Sequence, residues 1–144
     1  MNTEHQSQGA SVSEQRVEAA ERLRWQTFYA DRMRPCPFFG TDADENLIEW
    51  VEDGRIHAGR ALDVGCGNGR NSIYLASKGF RAQGVDLSEQ AIMWARERSP
   101  QKSQQVQFVC GSIFDNEPAA KSVHFVYDSG CFHHLPPHQR RQYA

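Results

Sequence analysis

At 144 residues the chain is one domain's worth of sequence, long enough to bury a core. Its 39% hydrophobic and 24% charged residues and formal net charge of -2 exclude a surface built mainly to hold phosphate backbone, which needs clustered Lys and Arg. No run approaches the roughly 18 to 20 apolar residues of a membrane span, and Met1 to Gln15 lacks the apolar core of a secretory signal.

The expected partner is therefore neither nucleic acid nor membrane, and the expected location is the cytoplasm. Cys36, Cys66, Cys110 and Cys131 form no CxxC pair and sit in apolar or glycine-rich contexts, which suits thiols in a reducing compartment.

Residues 1–13 are rich in Ser, Gln and Glu and read as a disordered tail. Residues 14–43 form the next unit. The pattern is helical from Ser13 to about Met33, with Ala20, Leu23, Thr27 and Ala30 on one candidate inner face. Trp25, Phe28 and Tyr29 make its end aromatic, and Arg34-Pro35-Cys36-Pro37-Phe38-Phe39-Gly40 breaks it into an apolar loop. These aromatics either fold over a cofactor as a lid or pack the helix onto a sheet.

From Asp44 to residue 144 strands and helices alternate. Asp44 is placed to cap a helix carrying Leu47, Ile48 and Val51 inward, with Gly54 as its stop. Arg60 to Val64 suits a buried strand, Arg70 to Lys78 a helix, Phe80 to Asp86 a second strand. Ser88 caps a helix that ends at Pro100, and Val106 to Cys110 and Val123 to Tyr127 complete four strands. Pro136 to Ala144 opens a further helix.

This order predicts right-handed crossovers and a doubly wound, Rossmann-like α/β parallel sheet in the order 3-2-1-4, covered on both faces. Such folds normally have about six strands. The expectation is thus an incomplete domain lacking C-terminal strands, with an unpaired edge at the fourth.

The run Asp63-Val64-Gly65-Cys66-Gly67-Asn68-Gly69-Arg70 carries the chemistry. Its glycines allow a sharp strand-to-helix turn and close approach to a ligand, and the helix N–H groups behind them can bind an anion such as a carboxylate. Asp86 ends the second strand, where an acid can accept hydrogen bonds from both hydroxyls of a ribose. Dinucleotide binders place a third glycine where this chain has Arg70. Asp63 beside the loop would repel a pyrophosphate and suit a ligand carrying an ammonium and a sulfonium. A nicotinamide-dependent oxidoreductase is the weaker alternative.

These residues resemble motifs I and II of class I S-adenosylmethionine-dependent methyltransferases. The stretch Gly65 to Ser72 followed by Tyr74-Leu75-Ala76 is especially similar to the tellurite-resistance and thiopurine methyltransferase branch. The resemblance implies S-adenosyl-L-methionine as cofactor. It implies that Asp63 holds the methionine ammonium through water, and that Gly65, Cys66, Gly67, Asn68, Gly69 and Arg70 line the methionine moiety. Asp86 would bind the ribose and Leu87 the adenine. Where the family usually has an acid for the adenine amino group this chain has Ser112, so adenine binding leans on the backbone near Ile113. Asp128, at the end of the fourth strand, is counted with the cofactor set.

Strand carboxyl ends face the ligand crevice in such sheets, which puts Ser129 to Leu135 beside the reacting methyl. His133 and His134 are the available bases there, or else shape the pocket. His134 and His138 have a metal-like spacing, but Pro136 and Pro137 break the register, and no metal is expected.

Asp128-Ser129-Gly130-Cys131 matches no [ND]PP[YF] signature of base- or glutamine-methylating enzymes, and Cys36 lacks a Pro-Cys-Gln context. The expected activity is methyl transfer to a small molecule; soft acceptors such as thiols, selenium or tellurium compounds rest on the resemblance alone. The competing reading is a non-catalytic remnant that holds the cofactor or nothing.

Overall fold

The computed structural model describes residues 9–100 and 105–144. Four parallel strands, β1 (Arg60–Val64), β2 (Arg81–Asp86), β3 (Val106–Cys110) and β4 (Phe125–Asp128), lie in the order β3-β2-β1-β4. Five helices accompany them: α1 (Val12–Ala30), α2 (Glu45–Glu52), α3 (Arg70–Ser77), α4 (Glu89–Arg98) and α5 (Pro137–Tyr143). The Rossmann-like sheet is thus the one the alternating pattern predicts, with β1 and β3 matching residue for residue and only the start of β2 and the two ends of β4 shifting by one or two positions.

The alternation of side chains along each strand builds two cores. On one face Ala61, Ala82, Val106, Phe108 and Tyr127 meet Leu47, Leu75, Phe80, Ile92 and Ala95. Leu47, Leu75, Phe80 and Ile92 are essentially sealed from solvent, each worth about 1.5 to 3 kcal/mol of burial. The other face is thinner: Leu62, Val64 and Val85 are covered by Val109, Ile113, Val123, Cys131 and Tyr143. Val126 stays half exposed on it, so the expected cover on both faces is only partial among the described residues.

The N-terminal segment departs most from expectation. Residues 1–8 lie outside the described residues, and 12 and 13 belong to α1 rather than to a tail. Ser11 caps α1: its Oγ accepts from Glu14 N–H while the Glu14 carboxylate accepts from Ser11 N–H, a reciprocal box. The helix turns out the reverse of the face read from apolar spacing. Ala20, Leu23, Thr27 and Ala30 are exposed, and Glu18, Glu21, Trp25 and Tyr29 point inward. The inward face meets a polar cleft rather than an oily core, so apolar periodicity pointed the wrong way. Among the described residues no helix is long and apolar enough to cross a membrane.

Candidate functional site

A cavity of about 630 Å³ opens at the carboxyl ends of β1, β2, β3 and β4. Its floor is the glycine loop. Gly65, Gly67 and Gly69 all take left-handed backbone, at φ +69, +55 and +79. Gly65 and Cys66 N–H both donate to Val85 O, at 2.8 and 3.0 Å, which pins the loop to the end of β2. At Gly67 and Gly69 the glycine is obligatory on two counts. A Cβ on Gly67 would lie 2.5 Å from Tyr29 Oη, and one on Gly69 within 2.9 Å of Phe108 and Ala95.

Asp86 ties the floor together. One carboxylate oxygen accepts from Gly67 N–H and the other from Ser88 N–H, both at 2.9 Å, leaving lone pairs on each oxygen toward the cavity. Burial pushes its acidity down and its pKa up, against the lowering by those two backbone donors. Leu87, Gly111, Ser112 and Ile113 continue the wall. The Ser112 hydroxyl caps the next turn by accepting from Phe114 N–H at 3.2 Å. Asp115, three residues on, puts an exposed carboxylate on the same rim. Sequence reasoning passed over it because it stands one helical turn beyond the expected position.

Other expected residues lie elsewhere. Asp63 is 1% exposed and sits behind the loop, off the cavity wall, with Ser72 Oγ donating to it at 2.7 Å. Burial raises its pKa to about 7, the Ser72 hydrogen bond opposing and the nearby Asp86 adding to the rise. Asp128 also misses the cavity. Its carboxylate accepts from the N–H groups of Gly130, Cys131 and Phe132 and from Tyr143 Oη, at 2.5 to 3.2 Å, so it caps the Phe132–His134 turn. The position after a strand signals a ligand contact and a turn cap equally well, and here the cap takes the side chain.

Asn68 and Arg70 line the cavity, yet their side chains are committed to the 40–44 segment. Asn68 Nδ2 donates to Gly40 O at 3.3 Å, and Arg70 donates to Asp42 O at 3.1 Å and pairs with Asp44. Asp44 occupies the N-cap position of α2 without capping it. Its carboxylate instead takes Tyr127 Oη at 2.6 Å, Asn71 Nδ2 at 3.2 Å, Ser129 Oγ and the Arg70 guanidinium. Burial raises its pKa, but the hydrogen bonds from Ser129, Tyr127 and Arg70 outweigh it, and the carboxyl is held below its ordinary value. Asp44→Ala should cost about 2 to 4 kcal/mol in urea unfolding, because four donors lose their acceptor together. A loss below about 0.5 kcal/mol, the range of an ordinary surface change, would show the network to be incidental.

The roof comes from α1 and the loop after it. Glu18, Glu21, Trp25, Tyr29 and Phe38 face the cavity. Phe28 and Phe39 bind this roof to α4, with Phe39 edge-on to Trp94 at 5.0 Å, so the aromatic segment both lids the cleft and packs the helix down. Arg32 clasps Glu97 of α4 through two hydrogen bonds of 2.5 and 3.2 Å. On the opposite side Glu18 pairs with His138 of α5 at 3.0 Å. His133 and His134 close the far wall, His134 edge-on to Trp25 at 5.0 Å. Burial, His133 and Arg24 together lower the His134 pKa, which favours the uncharged ring. His138 is thereby spent on Glu18, and no group of three or more His, Cys, Asp or Glu among the described residues could hold a metal ion.

The donor set fits a cationic sulfonium ligand. Asp86 on the cavity wall and Asp63 behind the loop place two acidic groups about it. The loop's own guanidinium, Arg70, is paired with Asp44, and Arg22 of α1 is the other guanidinium of the lining, a balance that gives a pyrophosphate no cluster of cations.

The sequence model of a family described as "Methyltransferase domain" matches residues 61–144. YqeM of Bacillus subtilis, named as a methyltransferase, is 41% identical over 70 residues, 49% of this chain and 26% of that one. The 2-heptyl-1-hydroxyquinolin-4(1H)-one methyltransferase of Mycobacteroides abscessus is 30% identical over 98 residues, 67% of this chain and 43% of that one. A TehB-like S-adenosylmethionine-dependent methyltransferase structure from Corynebacterium glutamicum superposes with a TM-score of 0.53 at 25% identity, covering 75% of this chain and 56% of that one. The chain spans 26% and 58% of the length of the first two curated relatives it matches. Sheet order, glycine loop and family match converge: the chain belongs to the methyltransferase-domain family, within the class I S-adenosylmethionine-dependent superfamily.

Proposed function

We propose that the chain binds S-adenosylmethionine across the glycine loop and Asp86 and serves methyl transfer to a small organic acceptor held under α1. The observation that carries this reading is one cavity with two unlike walls. Asp86 and the glycine loop form one, and Trp25, Tyr29, Phe38 and the paired imidazoles form the other. When bound, the cofactor supplies an electrophilic methyl on a cationic sulfur. The protein's part is then to align the acceptor at about 3 to 3.5 Å from that carbon and to keep water out. Tyr29, buried against Gly67, and the clasp of Arg32 on Glu97 serve the second task.

A small acceptor is supported by the enclosed roof and by the M. abscessus relative, whose name specifies a small heterocycle. The finer likeness to the tellurite-resistance and thiopurine branch rests on the Gly65–Ser72 run and the TehB-like structure. Four free thiols support the cytoplasm as location.

Calorimetric titration with S-adenosylhomocysteine, with NAD as control, tests the reading. Binding of the first alone is expected; binding of NAD alone would overturn it. Asp86→Ala should weaken S-adenosylhomocysteine by roughly 1 to 3 kcal/mol, about 5- to 150-fold. The affinity for S-methylmethionine, a sulfonium without ribose, should change far less. Equal losses for both ligands would sink the ribose assignment.

A further inference from the structure

The half of the cavity away from Asp86 has a chemistry of its own. Tyr29 Oη stands over Gly67, and Trp25 continues the same helix face one turn earlier. His134 stands perpendicular to Trp25 at 5.0 Å, Arg24 lies over the Trp25 ring at 5.0 Å, and His133 lies 4.0 Å from His134, ring to ring, against Gly130. Phe38 closes the side. Aromatic rings thus line this part of the cavity, with two imidazoles and a phenol among them and Glu18, Glu21, Arg22, Gln139 and Gln142 on the same lining.

Resting on the reading above, we propose that the acceptor is a planar hydroxyarene or N–H heteroarene, stacked on Trp25 and Phe38 and relieved of its proton by His134. The reaction balances within these groups. The acceptor's oxygen or ring-nitrogen lone pair forms the new bond to carbon, and the carbon–sulfur bond breaks with its electron pair kept by sulfur as a thioether. The acceptor's proton moves to the free imidazole nitrogen of His134.

Charge at the site separates this class from others. On α1, Glu21 pairs with Arg24 at 3.3 Å, Glu18 is hydrogen-bonded to His138 at 3.0 Å and Arg22 adds a cation to the lining, while the exposed Asp115 carboxylate stands on the other rim beside Ser112. An aliphatic amine, with a pKa near 10, arrives protonated and has no lone pair to offer. A neutral hydroxyarene keeps its lone pair, and its proton becomes strongly acidic only as the new bond forms, which is when a neutral imidazole is useful. A small thiol leaves the aromatic walls unfilled and, as thiolate, needs no base. The charged and titratable groups around His134 are Glu21 and Arg24 from α1 and His133 in its own turn; Arg140 of α5 donates to the His133 and Leu135 carbonyls.

The test uses the full 144-residue chain. The probe is 2-naphthol, with n-hexylamine and 2-mercaptoethanol as competitors of the excluded classes, and binding is measured by calorimetry with S-adenosylhomocysteine present. Binding of 2-naphthol alone is expected, with Trp25→Ala weakening it at least tenfold and affecting S-adenosylhomocysteine far less. His134→Gln should leave 2-naphthol affinity within about threefold, yet lower its methylation roughly 10²- to 10⁴-fold and remove the decline in rate at acid pH. Binding of hexylamine or mercaptoethanol in preference to 2-naphthol overturns the acceptor class while leaving the cofactor reading intact. A chain that binds 2-naphthol but is unmoved by His134→Gln overturns the base. Failure to bind S-adenosylhomocysteine overturns both.

Discussion

Gly67→Val should abolish S-adenosylhomocysteine binding, a loss of at least 100-fold, while the far-UV signature of the sheet survives. Two costs combine at this residue. Its φ of +55 is a left-handed conformation that costs a side-chain-bearing residue about 1 to 2 kcal/mol, more when the side chain is branched at Cβ. The new Cβ would also lie 2.5 Å from Tyr29 Oη and 3.3 Å from Tyr29 Cζ, so the roof must lift off the loop. Overpacking of that kind typically costs about 1 to 3 kcal/mol.

The milder pair Gly67→Ala and Gly67→Ala/Tyr29→Phe separates the terms. Deleting the hydroxyl removes the nearest clashing atom and should restore part of both stability and affinity. What remains lost measures the backbone cost. If Tyr29→Phe restores nothing, the roof does not rest on the loop as described.

The lesson of the sequence lies in which residues had one possible job and which had two. Three glycines at alternate positions after a strand admit little besides a tight turn, and the turn is there, all three in the left-handed region. Asp86 was legible for the same reason: an acid ending the second strand faces the crevice by topology.

Asp44 and Asp128 were ambiguous, because a short carboxylate satisfies nearby N–H groups as readily as it meets a ligand. The structure uses one to gather Arg70, Tyr127 and Ser129, and the other to cap a turn. The inner face of α1 was illegible by apolar spacing. That face covers a cleft that must hold polar groups, so Glu18 and Glu21 point in while Leu23 is 68% exposed. The aromatic residues Trp25, Tyr29 and Phe38 were the better signal, since bulky rings cluster where a roof must exclude water without burying charge.

Asp63 provides the second large effect, through pH. Its pKa rises from the ordinary carboxylate value of 3.8 to about 7 because it is buried with one hydroxyl donor. The folded chain therefore holds a proton there that the unfolded chain has released. Between pH 4 and 7 the unfolded state binds fewer protons, so stability should fall as pH rises through that window, by up to about 1.4 kcal/mol per unit. The contribution is complete below pH 4 and gone above pH 7.

Asp63→Asn mimics the protonated form and should remove this slope, leaving a variant about 2 to 4 kcal/mol more stable than the parent at pH 8 and level with it near pH 4. Binding should move the other way. An ammonium across the loop favours the ionised carboxylate, so S-adenosylhomocysteine affinity in the parent should fall as pH drops below 7, up to tenfold per unit. Adenosine, which carries no ammonium, should lack the part of this dependence that comes from Asp63 and keep only what Asp86, whose pKa burial also raises, contributes at the ribose. In Asp63→Asn the dependence should shrink to the part that adenosine also shows, with the affinity at pH 8 falling toward the parent's acid-limit value. A stabilised variant that still binds S-adenosylhomocysteine as tightly as the parent at pH 8 would mean that Asp63 serves only Ser72 and the fold. A stability gain joined to a loss of binding is the signature of a charge buried at the expense of folding and kept for the ligand.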